Sequence, residues 1–365
     1  MRRMVPFLLA LGCGGAGAPP GRPAPPDAPD PAPPARFTNP VLDRDFPDPA
    51  TYRAPDGTFY AYATQTGGDR GMVNVQAARS HDLVTWELLG EVMPDKPAWA
   101  RSTQDFWAPH LHVAGGAHLL YYSAKPDGDD GMCIGVARGT SPAGPFRDDG
   151  KPILCGKGIE VIDPFPFDDP ATGKSLLYWG SGGAPIFVRE LDETRTAFAP
   201  GSAAVALLRA TPGKAFESLL EGPWVHLRDG TYYLYYSGDD CCGNGSPRRP
   251  PRYATMVARS RSATGPFTPM GHLLLGDNGR WLAPGHNAIV TDDAGVDWIV
   301  YHAMDVRQPL IEGTQFARRS LLIDRVAYDA DGWPAIAGDS ASVTPQDAPV
   351  VRERARALVP PGASR

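Results

Sequence analysis

Apolar residues along this chain recur in short runs and alternations, and the 3.6-residue spacing of an amphipathic helix is nearly absent. Five stretches repeat one pattern: a short strand, a turn containing Gly, then a strand rich in aromatic and β-branched residues. They are "DPATYRAPDGTFYAYAT", "WAPHLHVAGGAHLLYYSA", "DPFPFDDPATGKSLLYWGS", "EGPWVHLRDGTYYLYYSG" and "HNAIVTDDAGVDWIVYHA". A second phrase follows three of these hairpins: "NVQAARSHDLVTWELLG", "CIGVARGTSPAGPFRDDG" and "TMVARSRSATGPFTPMG". It reads as a third strand, a polar corner and a fourth strand. Four strands per unit, repeated five times, predict an all-β fold, a five-bladed β-propeller with four-stranded antiparallel blades. The blades are expected at 37–98, 99–150, 151–208, 209–280 and 281–341.

The repeat carries a register. Counting back nine residues from the turn glycines Gly57, Gly116, Gly230 and Gly295 reaches Asp48, Trp107, Glu221 and His286. In the third unit the count from Gly173 is ten and reaches Asp163, because that turn is longer. The first strand of a propeller blade lines the central channel. These five positions should therefore converge at one end of it. Three carboxylates, an indole and an imidazole are a poor choice for packing, since clustered like charges cost free energy and push their pKa values apart.

The ends of the chain follow another pattern. "MRRMVPFLLALGCGG" places two Arg before a short apolar run and small residues, which predicts an export signal over 1–15. "ALGC" fits either a lipoprotein processing site, with Cys13 lipidated and tethering the chain to a membrane, or a simple cleaved signal. The Pro-rich segment 16–36 reads as an extended linker. The propeller is expected over 37–341 and a charged tail over 342–365. Exported protein is periplasmic, surface-held or secreted. In such a compartment the remaining cysteines can be oxidised: Cys133 with Cys155, and the adjacent Cys241 and Cys242 as a vicinal disulfide or as ligands, with free thiols as the alternative. A net charge of −6 argues against a nucleic-acid partner or a protein built to coat anionic membrane. No phosphate loop, zinc spacing or nucleophile elbow is present, and no organic cofactor is expected.

Three acids around an aromatic-walled pocket suit hydrolysis of a glycosidic bond. One protonated carboxyl donates to the leaving oxygen, and one ionised carboxylate activates water or attacks carbon. The segments "NPVLDRDFPDPA", "FWAPHL", "EVIDPFPFDD", "LLEGPWV", "GHNAIV" and "RRSLLIDRVAYDADGWP" then occur in an order that resembles glycoside hydrolase family 43. The likeness covers about 37–341. It implies a five-bladed propeller enzyme that inverts configuration and acts on an oligo- or polysaccharide. The implied substrates are arabinan or α-L-arabinofuranosides, with β-xylosides or galactans as alternatives. It implies Asp48 as general base, Glu221 as general acid and Asp163 as the group that orients that acid and raises its pKa. His286 matches a channel histidine that helps hold calcium through water. Trp107 and Phe106 match sugar-platform residues. His302 and Arg319 lie in family-like segments, Asp45 stands close to Asp48, and His110 is expected behind the ring. Specificity is expected in the loops Thr66–Met72, Lys125–Gly131 and Asp239–Pro251. Propellers of this kind commonly work as monomers. The competing class is a non-catalytic carbohydrate-binding propeller on a surface lipoprotein.

Overall fold

The computed structural model describes residues 35–68, 71–128, 130–242 and 251–352. The export signal, Cys13, linker residues 16–34, parts of the three expected specificity loops and tail residues 353–365 lie outside the described residues. The body is a five-bladed β-propeller whose blades are antiparallel four-stranded meanders. Blade 1 runs through Ala50–Arg53, Phe59–Ala63, Gln76–Ser80 and Trp86–Glu91. Blade 2 runs through Phe106–Ala114, Ala117–Ala124, Cys133–Gly139 and Arg147–Asp148. Blade 3 uses Phe165–Asp168, Ser175–Trp179, Ile186–Glu190 and Val205–Leu208. Blade 4 uses Leu220–Arg228, Thr231–Asp240, Arg252–Ser260 and Thr268–Pro269. Blade 5 uses Trp281–Thr291, Asp297–Asp305, Ser320–Tyr328 and Pro334–Ala335. Among the described residues the one helical turn is Ala337–Asp339.

The sequence pattern explains each hairpin. Gly57, Gly116, Gly173, Gly230 and Gly295 all have positive φ, where a side chain would be strained, so the turns fall where the glycines allow them. The second strands carry Tyr62, Tyr121, Tyr122, Tyr178, Tyr235 and Tyr301, all fully buried between blades. This greasy layer holds the innermost strands in place. The innermost strands touch one another in sequence, and the fifth returns to the first, closing the channel wall.

Closure also uses the chain ends. Arg36–Phe37 pairs with Gln346–Asp347. The Asn39 side chain donates to the Ile323 carbonyl (2.8 Å) and to Ser342 Oγ (2.9 Å). Part of the segment expected as a tail thus lies in the body. One further detail departs from the expected blade boundary at 150. Leu154–Cys155 pairs with the third strand of blade 2 rather than joining blade 3, and Cys155 is disulfide-bonded to its register partner Cys133.

Candidate active site

One residue on or just before each inner strand adopts left-handed backbone at an equivalent place: Asp48, Ala108, Asp163, Gly222 and His286. Four of their N–H groups donate to side chains of neighbouring blades. Ala108 donates to Thr64 Oγ1 (2.8 Å), Asp163 to Ser123 Oγ (3.0 Å) and His286 to Ser237 Oγ (2.8 Å). Asp48 donates to His302 Nδ1 (3.0 Å). These bonds satisfy backbone donors freed where each strand breaks its ladder. They also correct the register expected from counting. In blades 1, 3 and 5 the left-handed residue is itself Asp48, Asp163 or His286. In blades 2 and 4 the residues counted, Trp107 and Glu221, stand one place earlier and pair with Ser123 and Ser237. Their counterpart in blade 5 is Gly285, which pairs with His302.

Four of the five expected ring residues meet. His286 Nδ1 lies 3.6 Å from Asp48 Oδ1 and 3.8 Å from Asp163 Oδ2. Asp163 Oδ2 accepts the Gly222 N–H (2.9 Å), which ties it to the peptide that follows Glu221. Glu221 accepts from Ser181 Oγ at Oε2 (2.6 Å) and from the Tyr253 hydroxyl at Oε1 (2.8 Å). Asp48 accepts from Thr64 Oγ1 (2.6 Å) and from Arg319 Nη1 (2.8 Å). Arg319 is held by its own backbone. Its N–H donates to Asp45 Oδ1 (3.0 Å), and its carbonyl accepts from Phe46 (2.8 Å). Asp45 therefore positions Arg319 and does not itself join the ring.

A sequence profile of glycosyl hydrolases family 43 matches residues 37–334. The chain belongs to that family. It is similar to the extracellular exo-α-(1→5)-L-arabinofuranosidase ArbA of Cellvibrio japonicus, 28% identical over 80% of this chain and 86% of that one. It is 29% identical to the β-D-galactofuranosidase xynD of Aspergillus niger, over 80% and 83% of the two chains. Its fold matches the crystal structure of an exo-1,5-α-L-arabinanase from a bovine ruminal metagenomic library, with a TM-score of 0.65 and 25% identity over 82% of this chain and 99% of that one.

In this family-43 glycoside hydrolase the carboxyls are driven to opposite charge states. Burial raises Glu221 from its ordinary 4.5 to about 7, and the Asp48 charge adds to that rise; the Ser181 and Tyr253 hydroxyls oppose it. Asp163 is also pushed up, first by burial, then by repulsion from Glu221 and Asp48. Burial acts on Asp48 as well, but the Arg319 guanidinium, with the Thr64 hydroxyl, outweighs it, so Asp48 is held below the usual carboxylate range. Burial keeps His286 and His302 neutral. His302 Nδ1 accepts the Asp48 N–H, so its proton sits on Nε2. At neutral pH Arg319 is then the cation that holds Asp48 ionised.

The remaining expectations separate. Phe106 is fully buried in the packing between blades 1 and 2, against Tyr122 at 6.0 Å, and Lys96 Nζ lies over its ring. With no exposed face it cannot stack on a sugar, which corrects its expected role. Trp107, next along the pleat, is half-buried and keeps an open side. His110 lies farther down the channel, 5.0 Å from the rings of Phe165 and Trp224, beside a central cavity of about 540 Å³. Burial lowers it to about 3, so it is neutral. Among the described residues no three His, Cys, Asp or Glu side chains gather as a metal-binding group. His286 turns Nδ1 to carboxylates that already have partners. This donor set does not make the oxygen-rich cage that calcium prefers, so no step runs through calcium. Counting from one residue per blade missed Ser181, Tyr253 and Thr64. A signal for two of them was present. Thr64, Ser123, Ser237 and His302 stand seven residues after the turn Gly, and Ser181 stands eight after it.

Proposed function

We propose that this glycoside hydrolase inverts α-L-arabinofuranosidic linkages of the arabinan type. The observation that carries the mechanism is that buried Asp48 is bonded to the Arg319 guanidinium, whereas buried Glu221 meets the hydroxyls of Ser181 and Tyr253. Asp48, kept ionised by Arg319, takes a proton from a water that attacks the anomeric carbon. Glu221, kept protonated by burial, gives its proton to the departing glycosidic oxygen as that bond breaks. Asp163 accepts the Gly222 N–H and so holds the peptide beside Glu221, while burial and repulsion from Glu221 and Asp48 push its own carboxyl up. Trp107 offers its open face to the sugar. The substrate class rests on the arabinan-cleaving relatives and on the six motifs in order. One relative favours a second reading, a β-D-galactofuranoside substrate. Export is supported by the N-terminal sequence and by the extracellular relative.

The test is hydrolysis of nitrophenyl α-L-arabinofuranoside, β-D-galactofuranoside and β-D-xyloside, with the first-formed anomer read by NMR. The expected result is release from the arabinofuranoside with inverted configuration, and loss of turnover in Glu221→Ala. Retention of configuration, or equal rates for wild type and Glu221→Ala, would overturn the assignment.

A further inference from the structure

Cys241 and Cys242 follow directly on the second strand of blade 4 and are joined as a vicinal disulfide. The strand end is anchored on both sides. Asp239 accepts the N–H groups of Phe216 (2.7 Å) and Ser218 (3.0 Å), and the Cys242 N–H donates to Asp240 (3.2 Å). Cys241 packs in one small cluster with Tyr253, Ala283 and Met304. Its sulfur also lies 3.9 Å from Arg319 Nη1. Tyr253 donates to Glu221 and Arg319 donates to Asp48. One bridge therefore lies beside Arg319 and against the cluster that contains Tyr253.

We propose that the Cys241–Cys242 bridge is a positioning element of the active site, a rigid apolar wall that holds the Tyr253 hydroxyl on Glu221 and the Arg319 guanidinium on Asp48. Physical chemistry favours a disulfide in this place. Closing a ring through the peptide removes rotamer freedom from two side chains at the end of a strand. A disulfide has no donor and is a weak acceptor, so it does not draw Arg319 away from Asp48 as a hydroxyl or thiolate would. It also keeps water off that side of the Arg319–Asp48 pair, which strengthens the pair. The inference rests on the proposed roles of Asp48 and Glu221.

The experiment compares wild type with Cys241→Ala/Cys242→Ala on nitrophenyl α-L-arabinofuranoside across pH, alongside thermal melting and mass spectrometry of the intact bridge. The double variant is expected to lose about ten- to a hundredfold in kcat/KM, the scale of a small misplacement of catalytic groups. The acid limb of its profile should move up by about half a pH unit as Arg319 loosens from Asp48. If the variant does not fold, Cys133→Ser/Cys155→Ser, which among the described residues leaves the adjacent pair as the one disulfide, is assayed before and after reduction by a phosphine, with the same expectation. Free thiols at 241 and 242 in exported wild type would overturn the inference. So would a folded double variant with kcat/KM within twofold and an unmoved acid limb. A wild type inactive on every furanoside would instead overturn the proposed function.

Discussion

Replacing Glu221 by Gln should make the protein more stable at high pH and inactive. Burial and the Asp48 charge raise Glu221 from 4.5 to about 7. A group whose folded pKa is raised contributes its full stability below the unfolded value. That contribution is lost as pH rises from about 4.5 through about 7. Each unit is worth about 1.4 kcal/mol, so the shift corresponds to about 3 kcal/mol at most. Part of it belongs jointly to Asp163, which leaves about 2 kcal/mol for Glu221 alone. Glutamine preserves the shape, and its oxygen and amide still meet the Tyr253 and Ser181 hydroxyls. At about 2 °C per kcal/mol for a body of this size, Glu221→Gln should melt about 4 °C above wild type at pH 9 and level with it near pH 4. Thermal melting across that range reads the effect, and nitrophenyl-glycoside turnover on the same samples should fall by at least about a hundredfold. A melting difference that does not change between pH 4 and pH 9 would refute the reasoning, because uniform packing effects carry no pH signature.

The other expectations follow from the same contacts. Tyr253→Phe removes a hydrogen bond that favours ionised Glu221, so the alkaline limb of kcat should move to higher pH; an unmoved or lowered limb contradicts the assignment. Arg319→Gln removes the charge that holds Asp48 down. The acid limb of kcat/KM should then rise toward or past the ordinary carboxylate range, because activity needs Asp48 ionised. A Cβ at Gly285 would lie 2.2 Å from the Tyr253 ring, so Gly285→Ala should destabilise by about 1–3 kcal/mol in denaturant titration and lower turnover together. Removing the Cys133–Cys155 bridge, which spans 22 residues, should cost about 3 kcal/mol and leave the pH profile unchanged.

The turn glycines made the propeller legible, because a positive-φ position and the buried aromatic strand after it recur in every unit. The carboxylates were legible for the same reason, as equivalent positions on successive inner strands. Counting could not detect the shift of one residue in blades 2 and 4. There the backbone turns left-handed at Ala108 and Gly222, after the residue reached by the count. Phe106 was misjudged because two adjacent aromatics in "FWAP" point to opposite faces of the pleat, and composition does not say which faces the channel. Tyr253 was invisible for a different reason. It belongs to a third strand, outside the hairpin that defines the repeat, and reaches Glu221 only because Gly285 of the next blade leaves room for its ring.

That contact shows how the blades work as one catalyst. A left-handed backbone at a residue with a side chain costs about 1–2 kcal/mol, and Asp48, Asp163 and His286 all carry that cost at the mouth of the channel. Each is held by a hydrogen bond from its N–H to the blade before it, with blade 5 serving blade 1 across the closure. The same inter-blade positions supply Thr64 to Asp48 and Ser181 to Glu221. No blade contains a complete acid or a complete base. Asp48 takes its backbone partner and its guanidinium from blade 5 and the strand beside it, while Glu221 takes one hydroxyl from blade 3 and one from its own blade. The charge split between the two carboxyls therefore exists only when the ring is closed. Loosening the seam between blades 5 and 1, for example by Asn39→Ala, should disturb Asp48 before it disturbs Glu221. In the pH profile the acid limb should move first, and an alkaline limb that moved first would contradict this coupling.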